Sequence, residues 1–315
     1  MYELSIKIGI DADPRGRKGV EKHLSELRDK YEKMSDLEKK MFDVERLTNP
    51  FSDTRLLYGD FDRDMKRVMV GIDIHGPEMI IAKQLADEGK LDGIINHHAT
   101  LGCQLSCVYD ALICQASMMG DAGVPYDEAR KIIEKDIAKW EEQILGMGRN
   151  FSNDDLAKLL GLSIIGIHTP CDNLLYDYTK RLVAKEKPKK VKDLLALLLA
   201  EPENEAAAKM GVFPRLFCGD MDADLGDKIF YYLTGCFRPR EEAFKLMADS
   251  GLTTFVTLVA VDYHLDICRQ YGINLITFPH YPGDNLGINL LLDEFEKRSP
   301  LDVIEVSNFF RCKRI

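Results

Sequence analysis

Apolar positions along this chain follow two rhythms. Short β-type runs alternate with longer stretches in which apolar residues return every three or four positions. Leu4 to Ile10 alternates apolar and polar residues and predicts a first strand. Val20, Leu24, Leu27 and Tyr31 mark one polar helix, and Leu37, Met41 and Val44 mark a second that Ser35 and Glu38 open as a capping box. Asn49 to Asp53 is a turn-rich boundary. From Arg67 the pattern becomes strand–helix–strand. It predicts strands over 68–72 and 93–96 with a helix over 77–89 between them, helices over 105–120 and 126–145, a capped start at Ser152 and Asp155, and a strand over 163–167. Further on it predicts helices over 173–185, 191–200, 240–250, 266–271 and 286–296, and strands over 212–218, 228–233, 254–261, 273–278 and 303–308. Residues 202–207 read as a loop. This alternation specifies an α/β fold with a largely parallel sheet, or two, and helices on both faces.

The chain has 315 residues, enough for about two domains with real cores. Its Lys+Arg count of 42 against an Asp+Glu count of 52 gives a net charge of −10, which argues against a nucleic-acid partner despite the basic stretch Lys185 to Lys192. None of the eight cysteines forms a C-x-x-C pair, and the start of the chain has no signal pattern. Reduced thiols and a cytoplasmic location are therefore expected. The longest aliphatic run, Leu194 to Ala200, is far shorter than the roughly 20 residues of a membrane span. Cys103 and Cys107 follow a His pair, but C-x₃-C without a partner pair reads as buried thiol rather than zinc site. Asp220-Met221-Asp222-Ala223-Asp224 begins like a calcium loop, yet Leu225 and Tyr231 stand where Gly and Glu are needed. No P-loop, G-x-G-x-x-G or G-x-S-x-G occurs.

The histidines change the picture. Of seven, only His23 lies on the polar arm, while His75, His97, His98, His168, His264 and His280 all follow apolar strands. Ligands in open α/β sheets bind beyond the carboxyl ends of strands. His97 and His98 are adjacent, so in extended backbone they would face opposite ways, and a bend after the strand is needed to aim both rings into one cavity. Carboxylates accompany the histidines: Asp73, Asp262, Asp172 four residues after His168, and Asp284 four residues after His280. A lone histidine at a strand end is more often a hydrogen-bonded core or surface group than a ligand. Six at the same kind of edge point to a metal site, and imidazole with carboxylate suits zinc, iron, manganese or nickel. His75 and His264 fit supporting hydrogen-bond donors rather than ligands, and His168 fits a group that orients the loop carrying Asp172. The segment Met69 to His75 with Asp92 to His98 also echoes Leu258 to His264 with Asn274 to His280, which suggests a duplicated β-α-β unit.

Ile94-Ile95-Asn96-His97-His98, His168-Thr169-Pro170-Cys171-Asp172-Asn173 and His280-Tyr281-Pro282-Gly283-Asp284 together resemble the NIF3-like family (NGG1-interacting factor 3-like, DUF34). In that family a strand ends in His-His, a central H-T-x-x-D follows, and a C-terminal G-H-x-x-x-E closes the set. The resemblance spans roughly residues 53–295. It implies two related three-layer α/β/α domains with a dinuclear metal centre in the cleft between them, and a toroidal homohexamer. On this basis residues 1–50 form an N-terminal strand and helical arm, 51–165 with 265–315 one domain, and 166–264 the other. Carried over, His97, His98, Asp172, His280 and Asp284 are the ligands of two divalent transition-metal ions (zinc, iron or manganese), with Asp172 and Asp284 bridging. The chain departs from the pattern in having Asp284 for the usual Glu, Pro279 for Gly, Asp53 to Gly59 in place of the usual W-D-N-x-G segment, and an arm without a counterpart.

The resemblance implies a metal-dependent hydrolase, GTP cyclohydrolase type 2-like or phosphoesterase, that uses a metal-bridging hydroxide. In that reading Asp73, His75, His264 or Asp262 moves protons or orients ligands, and Arg55, Lys180 or Arg181 would meet an anionic substrate. The other reading is a non-catalytic oligomer that stores or delivers metal or acts as an adaptor.

Overall fold

The computed structural model describes every residue except 61, 63, 99–107, 146–151 and 236. An N-terminal arm comprises α1 (Tyr2–Asp11), α2 (Gly16–Glu32) and α3 (Asp36–Met41). The first sheet is built from β1 (Arg55–Tyr58), β2 (Arg67–Gly71), β3 (Gly93–Asn96), β4 (Ile164–Gly166) and the final β9 (Asp302–Val306). Between them run α4 (Gly76–Asp87), the short α5 (Gln115–Met118), α6 (Tyr126–Leu145) and α7 (Ser152–Leu160). The second sheet comprises β5 (Arg215–Cys218), β6 (Ile229–Tyr232), β7 (Thr254–Thr257) and β8 (Asn274–Thr277), with α11 (Glu241–Asp249) and α12 (Asp262–Tyr271) as crossovers. α8 (Thr169–Glu186), α9 (Val191–Leu199) and α10 (Pro202–Ala208) join the two sheets, and α13 (His280–Glu296) leads from β8 back to β9.

The first sheet has the order β1-β4-β3-β2-β9 and the second β5-β8-β7-β6. All neighbours are parallel except the edge pairs β1–β4 and β5–β8. The first four strands therefore repeat as the second four. The match extends to detail: both edge pairs carry an irregularity at the same register, after Leu56 and after Leu216. Each edge strand is then followed by a glycine at positive φ, Gly59 and Gly219, where a Cβ would fall 2.3 Å from Ser163 and from Asn274. The pattern Arg-Leu-x-x-Gly-Asp at 55–60 and 215–220 is the written trace of this duplication. It corrects the phase of the sequence echo: by sheet order β2-α4-β3 corresponds to β6-α11-β7, one strand earlier than the echo placed it.

Side chains alternate across the first sheet as the pleat requires. Val68, Val70, Ile95 and Ile165 pack on one face with Ile8, Cys171, Ile288 and Leu292, while Met69, Ile94 and Ile164 pack on the other with Met79, Ala82 and Ala157. α8 and α13 serve both sheets, because Leu175 and Leu286 belong to the core of the second sheet while Cys171 and Ile288 belong to that of the first. These two helices touch closely: a Cβ at Gly287 would lie 2.4 Å from the Cys171 carbonyl oxygen.

Three local expectations change. Leu4 to Ile10 lies within helix α1 rather than a strand. Its apolar residues also fit a helical period: Leu4 and Ile8 pack on the first-sheet core, and the small Ser5 and Gly9 are buried one turn apart, with a Cβ at Gly9 falling 2.9 Å from Pro170. Residues 202–207 form α10, started by Pro202 and held by the burial of Glu203 against Arg314. α8, α12 and α13 each begin about one turn earlier than periodicity indicated, and the early prolines of α8 and α13 fit the first turn, where no intrahelical N–H bond is lost. Among the described residues no helix is long and apolar enough to cross a membrane.

Candidate metal centre

The carboxyl ends of β3, β4 and β8 meet the starts of α8 and α13. The bend expected after β3 is present. Asn96 fixes it, accepting from the Ile74 N–H at 3.0 Å and donating to the His98 carbonyl at 2.9 Å. Both rings therefore reach one site, with His97 and His98 centroids 4.8 Å apart. His168 joins them, 4.8 Å from His97 and 5.2 Å from His98, and His280 lies 5.5 Å from His98.

Each strand end supplies a different fixation. His97 Nδ1 lies 3.1 Å from the Ile167 carbonyl, so it carries the proton and leaves Nε2 as a lone pair. His98 Nδ1 lies 2.9 Å from Asp73 Oδ1, and His168 Nδ1 lies 2.9 Å from Asp53 Oδ2. Such carboxylate–imidazole pairs fix the tautomer that presents Nε2 to a metal. Asp53 is itself held by Thr169, whose hydroxyl donates to it at 2.7 Å.

The Nε2 atoms converge on two aspartates. His97 Nε2 is 3.6 Å from Asp172 Oδ1 and 3.7 Å from Asp284 Oδ1; His98 Nε2 is 3.6 Å from Asp284 Oδ2; His168 Nε2 is 3.5 Å from Asp172 Oδ2; His280 Nε2 is 3.7 Å from Asp284 Oδ1. These separations are long for hydrogen bonds. They suit two ligands of one ion, since bonds of about 2.1 Å at a tetrahedral angle place donors about 3.4 Å apart. Three overlapping triplets have donor atoms within 4.8 Å of one another: His97, His98 and His168; His98, His280 and Asp284; His97, Asp172 and Asp284. His97 Nε2 and Asp284 Oδ1 are both buried without a hydrogen-bond partner among the described residues.

The electrostatics fit a cation. Burial pushes His97 down to about 4, so it is neutral and ready to ligate at pH 7. Burial opposes a charge on His168, yet Asp172 and Asp53 carry it up to about 10, so without metal an imidazolium stands between two carboxylates. Burial raises Asp172 to about 7, whereas Asp284, although equally buried, is held down to about 2 by His97 and the histidines around it. Asp172 sits in the first turn of α8, where the helix dipole favours negative charge, and Asp284 is the fifth residue of α13.

All five residues carried over from the resemblance lie in this cluster. His168 and Asp53, which sequence reasoning left out of it, belong there as well. A repeated phrase held the signal: His-x-Pro-x-Asp-Asn at 168–173 recurs at 280–285, and β4 and β8 occupy equivalent positions in their sheets. The two helices thus contribute matching His/Asp pairs, while the His-His pair comes from the first repeat alone; Leu258 and Val259 follow β7 where His97 and His98 follow β3.

Other expectations are corrected. Asp73 holds His98, but His75 is exposed, and its backbone N–H is bonded to Glu78 at the start of α4. His264 is buried inside α12 among Phe244, Phe255 and Tyr263, with Nε2 against the Pro239 carbonyl, because the second-sheet core captures its ring. Asp262 begins the same helix. Arg55 is enclosed and paired with Asp43, while Lys180 and the exposed Arg181 are paired with Asp121 and Asp177. Cys103 and Cys107 lie outside the described residues.

No protein-family model matches the chain, and no curated protein does. Among solved structures it is similar to a NIF3 superfamily protein from Sphaerobacter thermophilus, with a TM-score of 0.68 and 24% sequence identity over 82% of this chain and 92% of that one. Fainter likenesses are to protein ybgI, of unknown function (TM-score 0.47, 13% identity, 91% of this chain and 96% of that one), and to reduced HcgD from Methanocaldococcus jannaschii (TM-score 0.45, 14% identity, 86% and 94%). With two α/β sheets and a His/Asp cluster capable of holding metal where they meet, the chain has the NIF3-like fold.

Proposed function

We propose that the chain is a metal-dependent hydrolase whose centre holds two divalent transition-metal ions through His97, His98, His168, Asp172, His280 and Asp284. The observation that carries this reading is the pair His97 Nε2 and Asp284 Oδ1. The two buried atoms lie 3.7 Å apart, too far for a hydrogen bond, and neither has another partner among the described residues; a cation between them would satisfy both. Nitrogen and oxygen donors in this mixture suit zinc, iron or manganese. Such ions supply Lewis acidity and bring the pKa of water near neutrality.

The chain's own residues do the rest. Asp73 and Asp53 hold His98 and His168 in the metal-facing tautomer. The Asn96 bend keeps His97 and His98 on one side of the sheet edge. The His280 side chain is 49% exposed, so the centre opens past it, and its imidazole can pass a proton between a bound substrate and solvent. A second reading, a non-catalytic metal-binding protein, draws on a different observation: among the described residues no lysine or arginine is paired with the aspartates of the centre.

The test is metal per chain by elemental mass spectrometry on protein purified without chelator or metal-affinity tag, beside the His97→Ala/Asp172→Ala variant. About two ions in the wild type, lost in the variant, with metal-dependent cleavage of bis(4-nitrophenyl) phosphate, support the hydrolase. Bound metal with no hydrolysis of a phosphoester or nucleotide panel selects the second reading. Metal well below one per chain, unchanged in the variant and not restored by zinc, iron or manganese, refutes both.

A further inference from the structure

A cavity of about 220 Å³ lies between helix α2 of the arm and the body of the protein, and its Arg15 is joined through Asp13 to Asn173, the residue after Asp172. Its wall is rich in donors: Arg15, Lys22 and His23 from the arm, and Ser117, Tyr126 and Arg130 from the body. Among the described lining residues Glu26 is the one acid, and it is already engaged by Arg130 at 2.9 Å and by Lys22 at 3.9 Å.

Arg15 decides what the cavity is for. Its side chain is only 7% exposed. Nε and Nη2 grip Asp13 at 2.9 and 2.7 Å, while Nη1 is buried and has no hydrogen-bond partner among the described residues. A buried charged donor left unmade costs more than a neutral one. Arg15 lines the cavity, and an acceptor there within reach of Nη1 would remove that cost.

We infer that this cavity is a binding site for a small oxyanion, a phosphate group, held by Arg15 with Lys22, Arg130 and the hydroxyls of Ser117 and Tyr126. Guanidinium groups and hydroxyls are the partners a phosphate takes. Asp13 and Glu134 balance Arg15 and Arg130 from outside the lining, so the site selects an acceptor of several hydrogen bonds rather than bulk negative charge. The volume lies below the roughly 300–1,000 Å³ of sites that enclose drug-sized ligands, which limits the occupant to inorganic phosphate or the phosphate end of a small monoester. Because α2 supplies one wall and α5 and α6 supply the other, the anion also fastens the arm to the body.

Inorganic phosphate titrated by calorimetry into the full chain, at ionic strength matched with chloride, tests this. The expected result is one saturable site per chain that persists in the His97→Ala/Asp172→Ala variant and weakens at least tenfold in Arg15→Gln. Glycerol 2-phosphate binding as tightly as phosphate identifies a monoester end, and phosphate alone identifies the free ion. The opposite variant pattern, with binding lost in His97→Ala/Asp172→Ala and kept in Arg15→Gln, places the anion at the metal centre and overturns the inference, as does the absence of saturable binding in the wild type. Should Arg15→Gln not fold, Lys22→Glu decides, because it reverses a charge on an exposed rim position: at least threefold weaker binding is expected, and unchanged affinity overturns the site.

Discussion

Replacing Asp53 by Asn tests the architecture of the centre without touching a proposed ligand. The Asp53 carboxylate faces four donors. Oδ2 meets His168 Nδ1 at 2.9 Å and the Thr169 hydroxyl at 2.7 Å, and Oδ1 meets the Thr169 N–H at 3.3 Å and the Thr54 hydroxyl at 3.4 Å. A carboxylate accepts on both sides, whereas an amide accepts on only one. With its oxygen toward His168, the new amide turns its NH₂ against the Thr169 N–H, leaving buried donors unmade at about 1–3 kcal/mol. With its NH₂ toward His168, it forces the proton onto Nε2, the atom that faces Asp172, and the imidazole no longer ligates. The first route loosens the start of α8, which carries His168 and Asp172, and the second disables His168 directly. The expected loss is about 10–100-fold in metal affinity, as for other hydrogen-bond partners of metal-bound histidines. The assay is competition for zinc against a chromophoric chelator, with circular dichroism confirming the fold. Affinity within twofold of wild type in a folded Asp53→Asn variant would refute both the role of Asp53 and the membership of His168 in the centre.

Gly287→Ala places a Cβ 2.4 Å from the Cys171 carbonyl, beside the residues preceding Asp172. It should cost about 1–3 kcal/mol in urea denaturation and weaken metal binding, because α8 and α13 must separate; a stable variant with unchanged metal affinity would contradict the close crossing. Arg314→Leu strips the counter-charge from Glu203, which is fully buried, and from Glu201, and should destabilise by about 3 kcal/mol, with much of the loss recovered in the Arg314→Leu/Glu203→Leu double variant. A loss under about 1 kcal/mol, against that benchmark, would mean the pair is hydrated. Burial holds His264 down to about 4. Its unfolded form binds a proton below the ordinary value near 6.5, so the neutral-pH stability is complete above about 6.5 and falls as pH drops toward about 4. That component amounts to at most about 3 kcal/mol, and His264→Phe should flatten the profile in this window; an unaltered profile would show that the ring is not held neutral.

The strand-end histidines were legible because the carboxyl edge of a parallel sheet is where the chain leaves buried backbone, so a polar side chain there stands out against an apolar run. His264 shared that signature and proved to be a core residue, since the rule locates an edge and not the direction of a ring. His168 was read as a loop-orienting group because only its spacing to Asp172 was weighed; the match between residues 168–173 and 280–285 carried the stronger signal. Asp53 could not be found by period or spacing, because its link to His168 joins segments 115 positions apart in the chain. Helix α1 looked like a strand because seven residues alternate by chance at a period that also satisfies a helix, and only the burial of Ser5 and Gly9 against the body decides between them. Arg55, one of the few basic candidates for an anionic substrate, instead meets Asp43 of the arm, whose docking no local pattern announces.

The two helices that share their flanks between both sheets also set the order in which the molecule can be finished. His97 and Asp284 are 187 positions apart, and neither half-set of side chains is complete until α13 has folded back across α8. Closing so long a loop is entropically slow, and contacts of this range form late. A chain still lacking α13 and β9 would therefore hold neither the complete first sheet nor the centre. Metal uptake therefore follows the docking of α13 on α8, and a chain starved of metal would carry a closed seam with an unfilled ligand set.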